Sequence, residues 1–124
     1  NVKSEYSDIV TYNANYLSKN SNSLMKIEGN TDDIGSVEYN LSLGQKRADA
    51  LKKALVGSGV SANQLDAVSN GKLKPKFDNS TSEGQSYNRR ADMFYSNSAP
   101  SQYSVTDGTP SFTFLQKSQS DTTP

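Results

Sequence analysis

The sequence contains no cysteine and no histidine. The missing cysteine excludes disulfides and thiol nucleophiles, and the two absences together exclude zinc sites of the usual Cys/His kind. Without histidine there is no Ser-His-Asp arrangement, and the commonest general base near neutral pH is gone. A hydrolase would need paired carboxylates or a Ser-Lys arrangement, and no motif here fixes two carboxylates into an acid–base pair. Long apolar runs are lacking as well. No stretch approaches the roughly 18 residues that a membrane helix needs. The first ten residues, NVKSEYSDIV, lack the basic start and apolar stretch of a signal peptide, so the chain reads as a mature fragment or an excised domain. Neither sign of charge is in excess, with 13 acidic and 13 basic residues, so no global field draws nucleic acid or acidic lipid. Recognition through charge must be local, carried by a few placed residues.

What is present, over 124 residues, suffices for one modest core plus any appendage. Residues 5–18 predict a helix, with Tyr6, Val10, Ala14 and Leu17 on one face, widened by Ile9, Tyr12 and Tyr16. Leu24 to Gly29 predicts a short strand with Met25 and Ile27 on one side and Lys26 and Glu28 on the other. NTDDIGS follows as a loop, its Gly35 suited to a tight turn. The clearest element is a second helix. Val37, Leu41, Gly44, Ala48, Leu51 and Leu55 form one stripe, Ser36 is a plausible N-cap, and Gly57 and Gly59 stop it. A strand is expected over Gln64 to Ser69, then a long polar connection through Asn88, then a last strand from Ala91 to Tyr95. Alternating helices and strands argue for an α+β two-layer sandwich, with helices packed on one mixed sheet. Residues 1–96 are expected to be this domain. Residues 97–124, rich in Ser, Thr and Pro, are expected to be a C-terminal tail, mostly extended or disordered, with one β-like patch at Ser111 to Leu115.

Two motifs are decoys. NTDDIG suggests a calcium loop, but with Gly35 sixth, Ile34 falls fifth and Leu41 twelfth, where oxygen ligands belong. The sequons at Asn40 and Asn79 are expected by chance in a chain so rich in Asn, Ser and Thr. No metal, cofactor or catalytic residue is assigned.

The segment IEGNTDDIGSVEYNLSLGQKRA, Ile27 to Ala48, resembles the core signature of the OmpA-like C-terminal domain family, which binds peptidoglycan. The family pattern G-H-T-D-x-x-G is met by Gly29, Asn30, Thr31, Asp32 and Gly35. Its Y-N-x-x-L-S-x-x-R-A is met by Tyr39, Asn40, Leu43, Gly44, Arg47 and Ala48. Gly71 to Pro75, Thr81 to Gly84, and Asn88, Arg89, Arg90 and Asp92 continue the match in order. Asn30 stands where many relatives have His, and Gly44 replaces the usual Ser. The family opens with a strand and a Phe-x-x-Asp-like turn before its first helix. That strand is expected to be missing from this chain, although the turn lines the family's binding site.

The resemblance implies non-covalent binding of peptidoglycan through the diaminopimelate of the stem peptide, anchoring an envelope protein to the cell wall. Diaminopimelate ends in a zwitterion, so its receptor needs one anion and one cation close together. The resemblance assigns the ammonium to Asp32 and the carboxylate to Arg47. Arginine suits its part, because a planar guanidinium pairs with a carboxylate through two parallel hydrogen bonds. Asp32 precedes a helix, where backbone amides favour a carboxylate. Thr31, Asn40, Leu43, Asn88 and Arg89 are further candidates for contact with the ligand. Arg90 and Asp92 are expected as strand-edge charges, paired or solvated. The implied location is the periplasm, as the soluble domain of an outer-membrane protein or lipoprotein attached through a segment upstream of Asn1. The alternative is a structural or protein-interaction module of the envelope that keeps the fold without the ligand. The missing strand would leave a sheet edge open to a partner strand, from a second copy in a swapped dimer or from the chain's own Ser111 to Leu115.

Overall fold

The computed structural model describes residues 2–96, 102–107 and 114–117. Helix α1 (Val2–Lys19) is followed by β1 (Met25–Asn30), α2 (Val37–Gly57), β2 (Leu65–Gly71), α3 (Ser82–Asn88), β3 (Arg90–Tyr95), β4 (Gln102–Asp107) and β5 (Phe114–Lys117). The strands make one mixed sheet in the order β2-β1-β3-β4-β5. β1 runs parallel to β2 and antiparallel to β3, and β4 and β5 continue antiparallel from there. This is the expected α+β sandwich, with helices on a mixed sheet.

The alternation read in the sequence explains the packing. Met25 and Ile27 of β1, and Ala91, Met93 and Tyr95 of β3, all point into the core. They meet Ile9, Val10, Ala14 and Leu17 of α1 and Ala48, Leu51 and Leu55 of α2. The α2 stripe is buried from Gly44 onward, whereas Val37 in the first turn is 39% exposed. Ser36 caps the helix as expected, its Oγ accepting from the Tyr39 amide at 3.0 Å. Where β1 crosses α2 the contact is backbone on backbone. A Cβ on Gly29 would lie 1.7 Å from the Gly44 carbonyl oxygen, and one on Gly44 would lie 2.3 Å from Ser69 Oγ. The glycine at position 44, noted as a departure from the family's usual serine, is what permits this approach.

Two features differ from the sequence-based expectation. The connection between β2 and β3 holds α3, seven residues capped by Thr81, whose Oγ1 accepts from the Gly84 amide at 2.9 Å. The stretch 97–124, expected as a tail, supplies β4 and β5 to the same sheet as residues 1–96. Val105 of β4 and Phe114 of β5 are fully buried in the shared core, and Phe114 stacks on Tyr6 of α1 at 5.7 Å. The strand that pairs with β3 is therefore 102–107. The patch proposed at Ser111 to Leu115 overlaps β5, which is one place further out, and residues 111–113 lie outside the described residues. The open edge that motivated a swapped partner strand is filled by this chain itself.

Candidate functional site

β1 ends at Asn30, and the loop that follows is tied at once to the neighbouring strand, since the Thr31 amide donates to the Gly71 carbonyl at 2.9 Å. Thr31 Oγ1 turns back to the Asp32 carbonyl at 2.8 Å, so its hydroxyl serves the loop. Asp32 Oδ1 accepts from the Ile34 amide at 3.1 Å, an Asx-type turn that fixes the carboxylate against its own backbone. Gly35, at φ 99°, completes the turn in a region that only glycine adopts without strain. Asn40 braces the loop from α2, its Nδ2 donating to the carbonyls of Ile34 at 2.8 Å and Ser36 at 2.9 Å. Its buried Oδ1 has no hydrogen-bond partner among the described residues. Asp33 is exposed, as a solvated loop residue should be.

Arg47 lies deeper than a pocket rim. Its side chain is 3% exposed, and Nε and Nη2 both donate to Asp107 Oδ2, at 2.9 and 2.5 Å. The Asp107 side chain is 2% exposed, so this is a buried ion pair between α2 and the end of β4. Leu43, one turn earlier on α2, is half-buried. Asp32 is not the partner of Arg47. Its Oδ2 instead accepts from Arg89 Nη1 at 3.0 Å, in a pair whose side chains are 30% and 13% exposed. A backbone bond joins the two pairs, because the Asp107 amide donates to the Arg89 carbonyl at 2.6 Å. Asp32, Arg89, Asp107 and Arg47 thus form one connected polar cluster.

Asn88, fully buried, clamps the preceding loop. Its Oδ1 accepts from the Lys76 and Phe77 amides, and its Nδ2 donates to the Phe77 carbonyl and to Asn79 Oδ1. Arg90 and Asp92 are buried rather than strand-edge charges. Arg90 Nε donates to both Asp92 oxygens, Ser104 Oγ donates to Asp92 Oδ1 at 2.6 Å, and the guanidinium lies 5.7 Å from the Phe77 ring centre. Neighbours two apart on a strand share a face, and the two pair there, one of the two outcomes expected of them, while β4 lies alongside β3 and sets Ser104 opposite Asp92. The residue missed altogether is Asp107. Its signal was the alternation of Tyr103 and Val105 with Ser104 and Thr106 just before an Asp-Gly turn pair, a strand pattern inside a tail-like composition. A cavity of about 240 Å³ lies at the other end of β1, lined by residues including Leu24, Lys26, Gln64 and Asp66. Among the described residues no group of His, Cys, Asp and Glu is placed to hold a metal, and no helix is long and apolar enough to cross a membrane.

The OmpA family model matches residues 1–89, which is more than half of the sequence. The chain belongs to the OmpA family. Among curated relatives of this OmpA-family chain, the peptidoglycan-associated lipoprotein of Haemophilus influenzae is 43% identical over 94 residues, covering 76% of this chain and 61% of that protein. The peptidoglycan-associated lipoprotein of Pasteurella multocida is 41% identical over 95 residues, covering 77% and 63%. The chain therefore spans less than two thirds of these relatives' length. Among solved structures, the peptidoglycan-associated lipoprotein from Burkholderia pseudomallei superposes with a TM-score of 0.72 at 42% identity, covering 74% of this chain and 78% of that one. The C-terminal domain of Helicobacter pylori MotB gives a TM-score of 0.66 at 28% identity, covering 73% and 71%.

Proposed function

We propose that the chain binds peptidoglycan non-covalently through the diaminopimelate of the stem peptide, with Asp32 receiving the ammonium and Arg47 the carboxylate. In this reading it works in the periplasm as the soluble domain of an outer-membrane protein or lipoprotein, and anchors that protein to the wall. The observation that carries the reading is the four-residue cluster, in which one carboxylate and one guanidinium in the family's positions belong to a single hydrogen-bonded unit. Both are held by more than one bond, as a receptor for a small zwitterion requires. The names of the relatives, peptidoglycan-associated lipoproteins, support the same ligand class.

Pelleting with purified sacculi tests it. The wild-type chain should sediment with the wall and release no soluble muropeptides, which marks binding rather than cleavage. Asp32→Asn and Arg47→Lys, each checked for native circular dichroism, should stay in solution. Equal pelleting of both variants and wild type would sink the assignment. One observation favours the alternative of a fold-keeping interaction module: Arg47 is almost wholly covered. In that case no variant of the cluster changes wall binding, because there is none to change.

A further inference from the structure

The cluster holds a specific pattern of charge. On Asp32 sits a cation, the Arg89 guanidinium, and on Arg47 sits an anion, the Asp107 carboxylate. These are the charges that the two ends of a diaminopimelate zwitterion would bring. They are also linked as a unit, since Arg89 and Asp107 share the backbone hydrogen bond from the Asp107 amide to the Arg89 carbonyl. With Arg47 only 3% exposed, a carboxylate from solution has no route to it while Asp107 stays in place.

We infer that Arg89 and Asp107 are an internal stand-in for the ligand: they close the site in the free chain, and binding releases the end of β4 from Arg47. The inference rests on the reading of Asp32 and Arg47 as the diaminopimelate site. Its physical basis is exchange of like for like. One carboxylate replaces another on the same guanidinium, so the charge of Arg47 has a carboxylate partner in both the closed and the ligand-bound states. β4 is suited to the movement, because it lies at the β5 side of the sheet, with only β5 beyond it. Strands near a sheet edge open locally more readily than central ones. Arg89, 30% exposed, can swing into water and leave Asp32 to an ammonium. The apparent affinity is then the intrinsic affinity reduced by the fraction of molecules with the site open.

The test uses the whole chain and a diaminopimelate-containing tripeptide muropeptide, with binding followed by calorimetry and amide exchange followed by mass spectrometry or NMR. Asp107→Asn, which keeps the shape and removes the competing charge, should bind about tenfold tighter than wild type if about one molecule in ten is open at rest. Arg89→Gln should also bind more tightly, and because its pair is partly exposed this change leaves the fold in place. In wild type, saturating muropeptide should speed exchange at the Asp107 amide while slowing it at Ile34. The exchange measurement stands even if Asp107→Asn proves too unstable to purify. If wild type binds, but the folded variants bind no tighter and the Asp107 amide stays protected, the stand-in is wrong and the binding function survives. If neither wild type nor any variant binds the muropeptide at millimolar concentration, the function itself fails and the stand-in goes with it.

Discussion

Asp107 accepts from both Nε and Nη2 of Arg47 across sixty residues of sequence, with both side chains almost fully buried. Breaking such a pair from one side leaves a charge with no water to solvate it, at a cost of about 3–5 kcal/mol. Arg47→Met and Asp107→Leu should each show that loss in urea denaturation. The double variant should lose much less than the two combined, because neither charge is then stranded. Additive losses would mean that the pair is not coupled as described.

The contact between Gly29 and Gly44 admits no side chain on the strand. Gly29→Ala would drive a Cβ into backbone atoms that have no rotamer to change, and should cost about 3 kcal/mol or more. Gly44→Ala meets the Ser69 hydroxyl first, which can turn aside, although the Gly29 carbonyl at 2.9 Å remains tight. Its expected cost is lower, about 1–2 kcal/mol. Thermal melts of both variants would check the order, and a Gly44→Ala more disruptive than Gly29→Ala contradicts it.

Phe114 tests whether β5 belongs to the core. It is 1% exposed and stacked on Tyr6, so Phe114→Ala should destabilise the whole domain by about 3–5 kcal/mol. An unchanged melting temperature would mean that the C-terminal strands are an accessory layer.

Tyr95 predicts an alkaline limit to stability. Its hydroxyl is buried and donates to Asn13 Oδ1 at 2.6 Å. Burial, with smaller repulsion from Tyr103, Tyr16 and Tyr12, pushes its pKa far above the ordinary tyrosine value. The fold thus favours the neutral phenol, while the unfolded chain ionises near pH 10. The contribution is fully present below about pH 10 and is lost as the pH rises beyond it. Tyr95→Phe should be less stable than wild type at pH 7, where it strands Asn13 Oδ1, and the gap should narrow by pH 11. Some alkaline loss should persist, because Tyr6 and Tyr103 are raised by burial too. A gap that stays constant in melts from pH 7 to 11 would contradict this account.

Much of this was legible in the residues. The α2 stripe, the Met25/Ile27 and Ala91/Met93/Tyr95 alternations, and the Ser36 cap are local patterns, and local patterns survive folding. Helix α3 escaped because its seven residues show no apolar periodicity, leaving only Thr81 as a capping signal. β4 escaped because composition outvoted alternation in a Ser/Thr-rich stretch. The site was legible in part for a related reason. Asp32, Arg47 and Arg89 belong to a recognisable pattern, but the charge that faces Arg47 comes from a strand that the pattern does not contain. Asn88 shows the limit in the other direction: the sequence offers it equally as a ligand contact or a brace, and its hydrogen bonds to the 76–79 backbone and Asn79 show the bracing.

The place of β4 also bears on how the chain folds. β3 and β4 are antiparallel neighbours joined by only the six residues 96–101, so their pairing closes a short loop. A strand supplied from the start of the domain would instead have to find β3 across most of the sequence. Closing short loops costs little chain entropy and is fast, and folds rich in such local pairings fold faster than those built on distant ones. With β4 drawn from just after β3, this pairing is one of the nearest encounters in the sheet, and Arg47 receives its partner from a strand that can pair as soon as β3 forms.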